Sequence, residues 1–170
     1  MASHDGSGNN AVMNERHTFG ARGGWWVAAQ IPLLLVAFLL APWTSYAAGA
    51  FAHPVQYLGA LLILASIGAI AAAFVALGSS LTPYPRPRGD SSLVTRGIYR
   101  FIRHPIYSGL IGGSLGWGLA WLSPVGALYA GLVWLFFDRK AAREEIWLAE
   151  RYPEYAAYAR RVRRFVPGVY

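Results

Sequence analysis

The sequence predicts an all-α integral membrane protein with four transmembrane helices, the last two a hairpin, followed by a cytoplasmic C-terminal helical segment. Three observations carry this expectation. Hydrophobic residues make up 55% of the 170-residue chain and charged ones only 14%, where a soluble domain carries about 25% charge. No Asp, Glu, Lys or Arg occurs in the 63 residues from Gly23 to Pro85, or in the 34 from His104 to Phe137. Apolar runs of about 18 or more uncharged residues are long enough to cross a bilayer. Finally, all 15 basic and 8 acidic residues fall in segments 1–24, 79–103 and 138–170.

Segment 1–22, rich in Gly, Ser and Asn, is expected to be a disordered cytoplasmic N-terminus. Residues 23–78 hold two spans, about Trp25–Ala41 and Val55–Leu77, separated by Pro42 and His53-Pro54. Arg16 and Arg22, an apolar run and then Ala48-Gly49-Ala50 also fit a cleavable leader. A run that opens on the bulky Trp25 and Trp26 suits a retained anchor better.

Residues 79–170 form the remaining module of loop, hairpin and C-terminal helices. As one helix, the second uncharged run would measure about 51 Å at 1.5 Å per residue, against a hydrocarbon core of about 30 Å. Ser123-Pro124 is the natural break, leaving Pro105–Leu122 and Val125–Phe137. The short last arm either stops before the far face or continues as a helix into the cytoplasm. The segment from Phe136 reads as helix to about Tyr152, where Pro153 interrupts it. With four spans every charge lies on one side, which the positive-inside rule makes cytoplasmic together with both termini and the Ser79–Arg103 loop.

Composition excludes several kinds of chemistry. There is no cysteine, hence no disulfide, thiolate nucleophile or Cys-based zinc site; no metal-ligand spacing appears either. The net charge of +7 comes from arginines beside spans, where anionic headgroups explain it better than nucleic acid does. Fourteen arginines against one lysine, with abundant Ala and Gly, point to a bacterial genome and so to a bacterial cytoplasmic membrane.

Chemistry concentrates at the mouth of the hairpin, in YRFIRHPIYSGL (Tyr99–Leu110). Pro105 suits the first position of a helix, which puts His104 at the N-cap and Tyr107 one turn later on nearly the same face. Arg100 and Arg103 stand beside the positive end of that helix, where an anion binds readily. On residue physics alone, routine span-flanking arginines and a capping histidine explain the stretch as well as a binding site does. Gly109/Gly113 and Gly112/Gly116 are spaced for close helix approach, with a flat ligand beside bare backbone as the sharper reading. Glu144 and Glu145 follow the hairpin, either on a solvated face with pairs such as Lys140–Glu144 or in a site. RRVRR (Arg160–Arg164) reads as an anchor to anionic lipid.

The order of these features resembles the isoprenylcysteine carboxyl methyltransferase family and, more distantly, the membrane phospholipid N-methyltransferases. The resemblance covers about Leu93–Pro167, through RGIYRFIRHPIYSG, VWLFFDRKAAREEIWL and YAAYARRVRRFVPG. It implies S-adenosylmethionine as methyl donor. Arg103, His104, Tyr107 and Gly109 would line the cofactor pocket, closed by Glu144 and Glu145. Arg161, which precedes valine as in the family pattern, would act near the acceptor, with Glu145 as its catalytic companion. The acceptor would be lipid-like or prenylated and reach the site from the bilayer. Arg163 and Arg164 replace a Pro-Thr type sequence of the eukaryotic enzymes, so the acceptor side departs from the pattern. Phospholipid N-methylation and a non-enzymatic four-span transporter or assembly protein are the competing readings. Against transport, no span interior carries the charge that coupled transporters place at mid-membrane depth.

Overall fold

Long uncharged runs bounded by proline and glycine become helices with few exceptions. The computed structural model describes residues 23–45, 54–78 and 92–170. Its described residues form five helices: α1 Gly24–Trp43, α2 Pro54–Leu77, α3 Pro105–Ala120, α4 Pro124–Arg151 and α5 Tyr155–Arg161, with a 3₁₀ turn at Gly97–Arg100 ahead of α3. The expected disordered N-terminus, the Ala48-Gly49-Ala50 motif and the first part of the Ser79–Arg103 loop lie outside the described residues.

α1 and α2 have 20 and 24 residues, long and apolar enough to cross a membrane. Their outward faces carry Trp25, Leu35, Phe38, Leu39, Leu61, Leu64 and Ile67, all exposed, an arrangement suited to lipid and not to water. The remaining two expected crossings differ from these and from each other. α3 has 16 residues, about 24 Å at 1.5 Å per residue, short of the roughly 30 Å hydrocarbon core. α4 runs unbroken for 28 residues, but it turns charged at Asp138 and continues as a helix through the acidic pair to Arg151. The all-helical class stands as expected; two of the described helices, α1 and α2, combine the length and the apolarity of a crossing.

The hairpin turns where the sequence places it, and its local chemistry explains why. Ser123 caps α4 by accepting from the Gly126 N–H at 2.8 Å, with Pro124 at the first position. α3 ends in two backbone bonds, from Ser123 N–H to the Gly118 carbonyl and from Leu122 N–H to the Leu119 carbonyl, the Schellman pattern. That pattern needs a left-handed residue after the helix, and Leu122 supplies it at φ 48°.

α3 packs most extensively on α2, and next on α4, which in turn holds α1. Bare backbone makes the α2–α3 approach possible: a Cβ on Gly59 would lie 2.6 Å from the Gly116 carbonyl, and one on Gly116 2.7 Å from the Gly59 carbonyl. Thr44 at the end of α1 bonds Ser123 at the start of α4, and Gln30 near the start of α1 bonds Lys140, so these two helices run antiparallel. Pro42 removes the N–H that would have bonded the Phe38 carbonyl; the Trp117 indole donates to that carbonyl instead at 2.9 Å.

Beyond α5 the chain returns to the mouth of the hairpin. Ile102 and Arg163 form a parallel bridge, and the Arg103 and His104 N–H groups donate to the Arg163 and Arg164 carbonyls at 2.8 and 3.1 Å. Phe165 thereby enters the core formed by Ala37, Val133, Phe137 and Ala141. A second cluster, Tyr152, Tyr155, Tyr158 and Val162, packs with Leu93 and Leu148.

Candidate functional site

Every charged residue among those described lies at 96–103 or 138–164, and the antiparallel packing gathers these segments at one end of the helices. The site forms where three pieces of chain meet there: the segment ahead of α3, the charged half of α4 and the strand-like tail after α5.

His104 occupies the N-cap of α3, but its side chain makes no capping bond. The ring is 6% exposed and turned toward carboxylates: Nε2 lies 3.1 Å from Glu145 Oε1 and Nδ1 3.7 Å from Glu144 Oε2. Tyr107 donates to Glu144 Oε2 at 2.8 Å, and its ring stacks on His104 with centroids 5.3 Å apart and planes within 3°. The shared face expected from the sequence is therefore a plate of two parallel rings, edged by two carboxylates. Phe137 and Phe165 back it.

Arg103 Nη1 stands 3.3 Å from Glu145 Oε1. Arg164 grips the other side of that carboxylate with Nη2 on Oε2 at 2.8 Å, and reaches Asp138 with Nη1 at 2.7 Å. Tyr170 donates to the same Asp138 oxygen at 2.8 Å. Burial alone would raise the Glu145 pKa, but hydrogen bonds from His104 and Arg164 and the Arg103 charge overcome it and bring it down to about 2. Glu144 goes the other way: burial raises it, against the opposing pull of His104, Tyr107 and Lys140. Two adjacent acids with opposite shifts can hold different protonation states at one pH.

Lys140 is buried. It does not close an ion pair with Glu144; it donates to Gln30 of α1 and lies over the Tyr107 ring, 5.0 Å from the centroid. Burial lowers its pKa to about 8, with Glu144 pulling it back up.

Arg103, His104, Tyr107, Glu144 and Glu145 are thus brought together, and two other expected site residues are not. Gly109 faces α2, where a Cβ would meet Ile70 at 2.5 Å and the Ser66 carbonyl at 2.9 Å, so its smallness serves helix packing. Arg161 is exposed on α5 and joins none of these ion pairs. Arg164, three residues later, is the arginine that reaches the carboxylates, because the bridge at Arg163 turns the tail inward. Within RRVRR, Arg164 is thus committed to Glu145 and Asp138.

Sequence reasoning missed Arg164, Asp138, Lys140 and Gln30. One signal was available on α4: Phe137, Lys140, Ala141 and Glu144 are spaced i, i+3, i+4, i+7, an inward-facing stripe in which a buried lysine and a half-buried glutamate stand among apolar residues. Asp138 and Glu145, seven apart, lie two turns from each other on a neighbouring face. Among the described residues no group of three or more His, Asp or Glu is placed to hold a metal ion.

Residues 55–155 match the family model described as phospholipid methyltransferase, a stretch that includes the ring plate and both glutamates but stops short of Arg164. The chain is 36% identical over 101 residues to protein-S-isoprenylcysteine O-methyltransferase B of Arabidopsis thaliana, covering 57% of this chain and 51% of that protein. It is 35% identical over 114 residues to protein-S-isoprenylcysteine O-methyltransferase A of the same plant, covering 64% and 58%. Against the human protein-S-isoprenylcysteine O-methyltransferase it is 38% identical over 80 residues, covering 46% and 28%. The chain spans little more than half the length of the plant relatives it matches.

Proposed function

This chain belongs to the phospholipid methyltransferase family, and we propose from that premise that it methylates the carboxylate of a lipophilic, prenyl-type acceptor, with S-adenosylmethionine as donor. The observation that carries the reading is the pairing of Glu144 and Glu145 with Arg103, His104 and Tyr107 at the mouth of an apolar hairpin. The donor has a sulfonium, an ammonium and a carboxylate beside a flat base. The residues present fit such a molecule, since both signs of charge and a stacked aromatic plate converge within one cluster.

When bound, S-adenosylmethionine supplies a methyl group already activated for displacement. The protein's share is then positioning. Glu145, held ionised far below neutral pH, provides a fixed negative charge. His104 and Tyr107 offer a flat surface whose orientation the two carboxylates lock. Phe137 and Phe165 keep water from the inner side of that plate. A carboxylate acceptor is already a nucleophile, so no residue need remove a proton.

A second reading rests on Glu144. An ammonium acceptor must first lose a proton to a base, and a half-buried glutamate with a raised pKa suits that role. It would make the acceptor an aminophospholipid. On either reading the charged end faces the cytoplasm, both termini with it, and the acceptor arrives through the lipid around α1 and α2 in a bacterial cytoplasmic membrane.

Calorimetry in detergent tests the donor first: micromolar binding of S-adenosylmethionine is expected, and none at millimolar donor sinks the enzyme reading. Labelled methyl transfer to a prenylated cysteine derivative and to phosphatidylethanolamine then separates the acceptors. Turnover of the amine alone would transfer the assignment to the second reading.

A further inference from the structure

The chain after α5 folds back toward the apolar half of α4. Phe165 and Val166 donate their N–H groups to the Tyr170 carbonyl, both at 2.7 Å, which closes residues 165–170 into a short loop. Tyr170 fastens that loop to α4. Its hydroxyl donates to Asp138 at 2.8 Å, and its ring lies 6.0 Å from that of Trp134, one turn further from the charged end.

The depth of the loop follows from the antiparallel pairing of α1 with α4. Gln30 bonds Lys140, and α1 starts at Gly24, about 9 Å nearer the charged end at 1.5 Å per residue. Asp138 lies about 3 Å below Lys140 on the same scale, and Trp134 about 9 Å below it. With its 20 residues, α1 measures about 30 Å, the thickness of a hydrocarbon core. The loop therefore sits roughly 12–18 Å inside the end of a helix that fills such a core, level with lipid.

At that level its apolar side chains are open. Val166 is 48% and Val169 75% exposed, and Trp134 and Leu135 on α4 are exposed as well. The lipid-facing surface of α4 thus continues onto the loop. Directly before it, Arg160, Arg161 and Arg163 are exposed, whereas Arg164 turns inward to Asp138 and Glu145. Valines at acyl-chain depth behind a collar of outward arginines match a leaflet whose headgroups carry negative charge. A soluble protein partner would have to displace lipid to reach the same valines.

We propose that residues 165–170 form an interfacial strap that inserts Val166 and Val169 into the leaflet at the charged end, with Arg161 and Arg163 on the phosphates of anionic lipid. This contact needs no methyl donor and stands apart from the reaction proposed above. It does touch the site: Tyr170 and Arg164 share one oxygen of Asp138, so the strap and the inward arginine are fastened at the same atom.

The chain has no cysteine, so Val169→Cys, Leu64→Cys and Glu154→Cys can each carry a single NBD fluorophore. Leu64 is exposed in mid-span on α2, and Glu154 is exposed beyond α4. The full-length protein is placed in nanodiscs of phosphatidylcholine and phosphatidylglycerol, with a doxyl quencher on the acyl chain of one lipid or the other. The label at 169 should be quenched strongly, as at 64, and more by a shallow doxyl than by a deep one. The label at 154 should be quenched little. Phosphatidylglycerol should be enriched at 169 about fivefold or more over phosphatidylcholine, the size of one arginine near an anionic surface. Replacing both Arg161→Gln and Arg163→Gln should bring the two lipids level while the depth at 169 persists. Quenching at 169 as weak as at 154 overturns the strap, and blue-shifted emission there without quenching overturns it in favour of a protein cover. Equal quenching by both lipids in the wild-type background overturns the anionic partner. An unquenched label at 64 removes the membrane crossing and the strap with it.

Discussion

The two ends of the helices solve the same problem, polar groups beside an apolar slab, in opposite ways. At the hairpin end the polar side chains are neutral and close on hydroxyls or main-chain carbonyls: Thr44 with Ser123 at 2.6 Å, Ser45 on the Trp121 carbonyl at 2.6 Å, Gln56 on the Ala120 carbonyl at 3.2 Å. Each ties α1 or α2 to the α3–α4 turn. At the mouth end the partners are charged, and Glu145 alone faces Arg103, His104 and Arg164. Neutral bonds to backbone hold a shape without storing potential. Charges gathered at part-buried positions are costly to desolvate, and a chain that needed only to end its helices had the cheaper solution at the other end. That contrast argues for a site at the mouth and for scaffolding at the turn.

The largest expected effect of breaking the contrast falls on Glu145. Glu145→Gln leaves Arg103 and Arg164 without their shared carboxylate, which should cost about 3 kcal/mol of stability and abolish donor binding. Its pH signature is specific. The folded pKa of about 2 lies below the ordinary 4.5, so the stabilisation is complete above about pH 5 and is lost as pH falls through 4 toward 2. Glu144 has the opposite sign: with its pKa raised, it favours the fold at low pH and loses that contribution as pH rises through the folded value. Acid unfolding in detergent should therefore be steeper for wild type than for Glu145→Gln between about pH 5 and 3. Parallel curves would mean that the carboxylate is not held as described.

His104→Asn separates site from cap. The histidine side chain makes no capping bond, and asparagine is a good N-cap, so stability should change by less than about 1 kcal/mol as a new cap offsets the lost bond to Glu145. Methyl transfer should fall about a hundredfold, or about 2.7 kcal/mol in barrier. Full activity in a folded variant would return His104 to the role of a helix start.

Much of this was legible in local sequence because it depends on local rules. Proline at 105 and 124, the break at Ser123 and the one-turn spacing of His104 and Tyr107 need only helix geometry. The cation set at the mouth was not legible. Which arginine of Arg160–Arg164 points inward depends on the parallel bridge between Ile102 and Arg163, a pairing across some sixty residues that leaves no periodic trace. The partner of Lys140 was missed for a similar reason: Gln30 comes from another helix, while the i, i+4 rule offered Glu144. Of the four expected crossings, two are helices both long and apolar enough to span a membrane; an uncharged run measures composition, and how it divides into helices is set by breaks such as Ser123-Pro124.

At the neutral end the effects should be smaller and confined to stability. Trp117→Phe keeps the ring stacked on Phe38 at 4.9 Å but removes the side-chain donor that, among the described residues, serves a carbonyl Pro42 has orphaned. In lipid that carbonyl has no water to turn to, and the loss should be about 1–2 kcal/mol. Ser123→Ala removes the α4 cap and the Thr44 bond, costing about 1 kcal/mol. Thermal unfolding measures both, and donor affinity should stay at the wild-type value. A drop in donor affinity in either variant would mean that the two ends are coupled.

The smallest expected effect has the opposite sign. Leu122 sits at φ 48° in the position after α3 where helices usually place glycine. A side chain there crowds the following carbonyl, at a cost of about 1 kcal/mol. Leu122→Gly relieves that strain but frees the unfolded chain and gives up whatever apolar contact the leucine makes. The two Schellman bonds to Gly118 and Leu119 use backbone alone, so they survive the change. The net should be a gain of about 0.5 kcal/mol, read as a small rise in melting temperature with donor binding unaltered. A clear loss of stability would show that the Leu122 side chain is itself a contact of the turn, and that the neutral end holds its shape by packing as well as by hydrogen bonds.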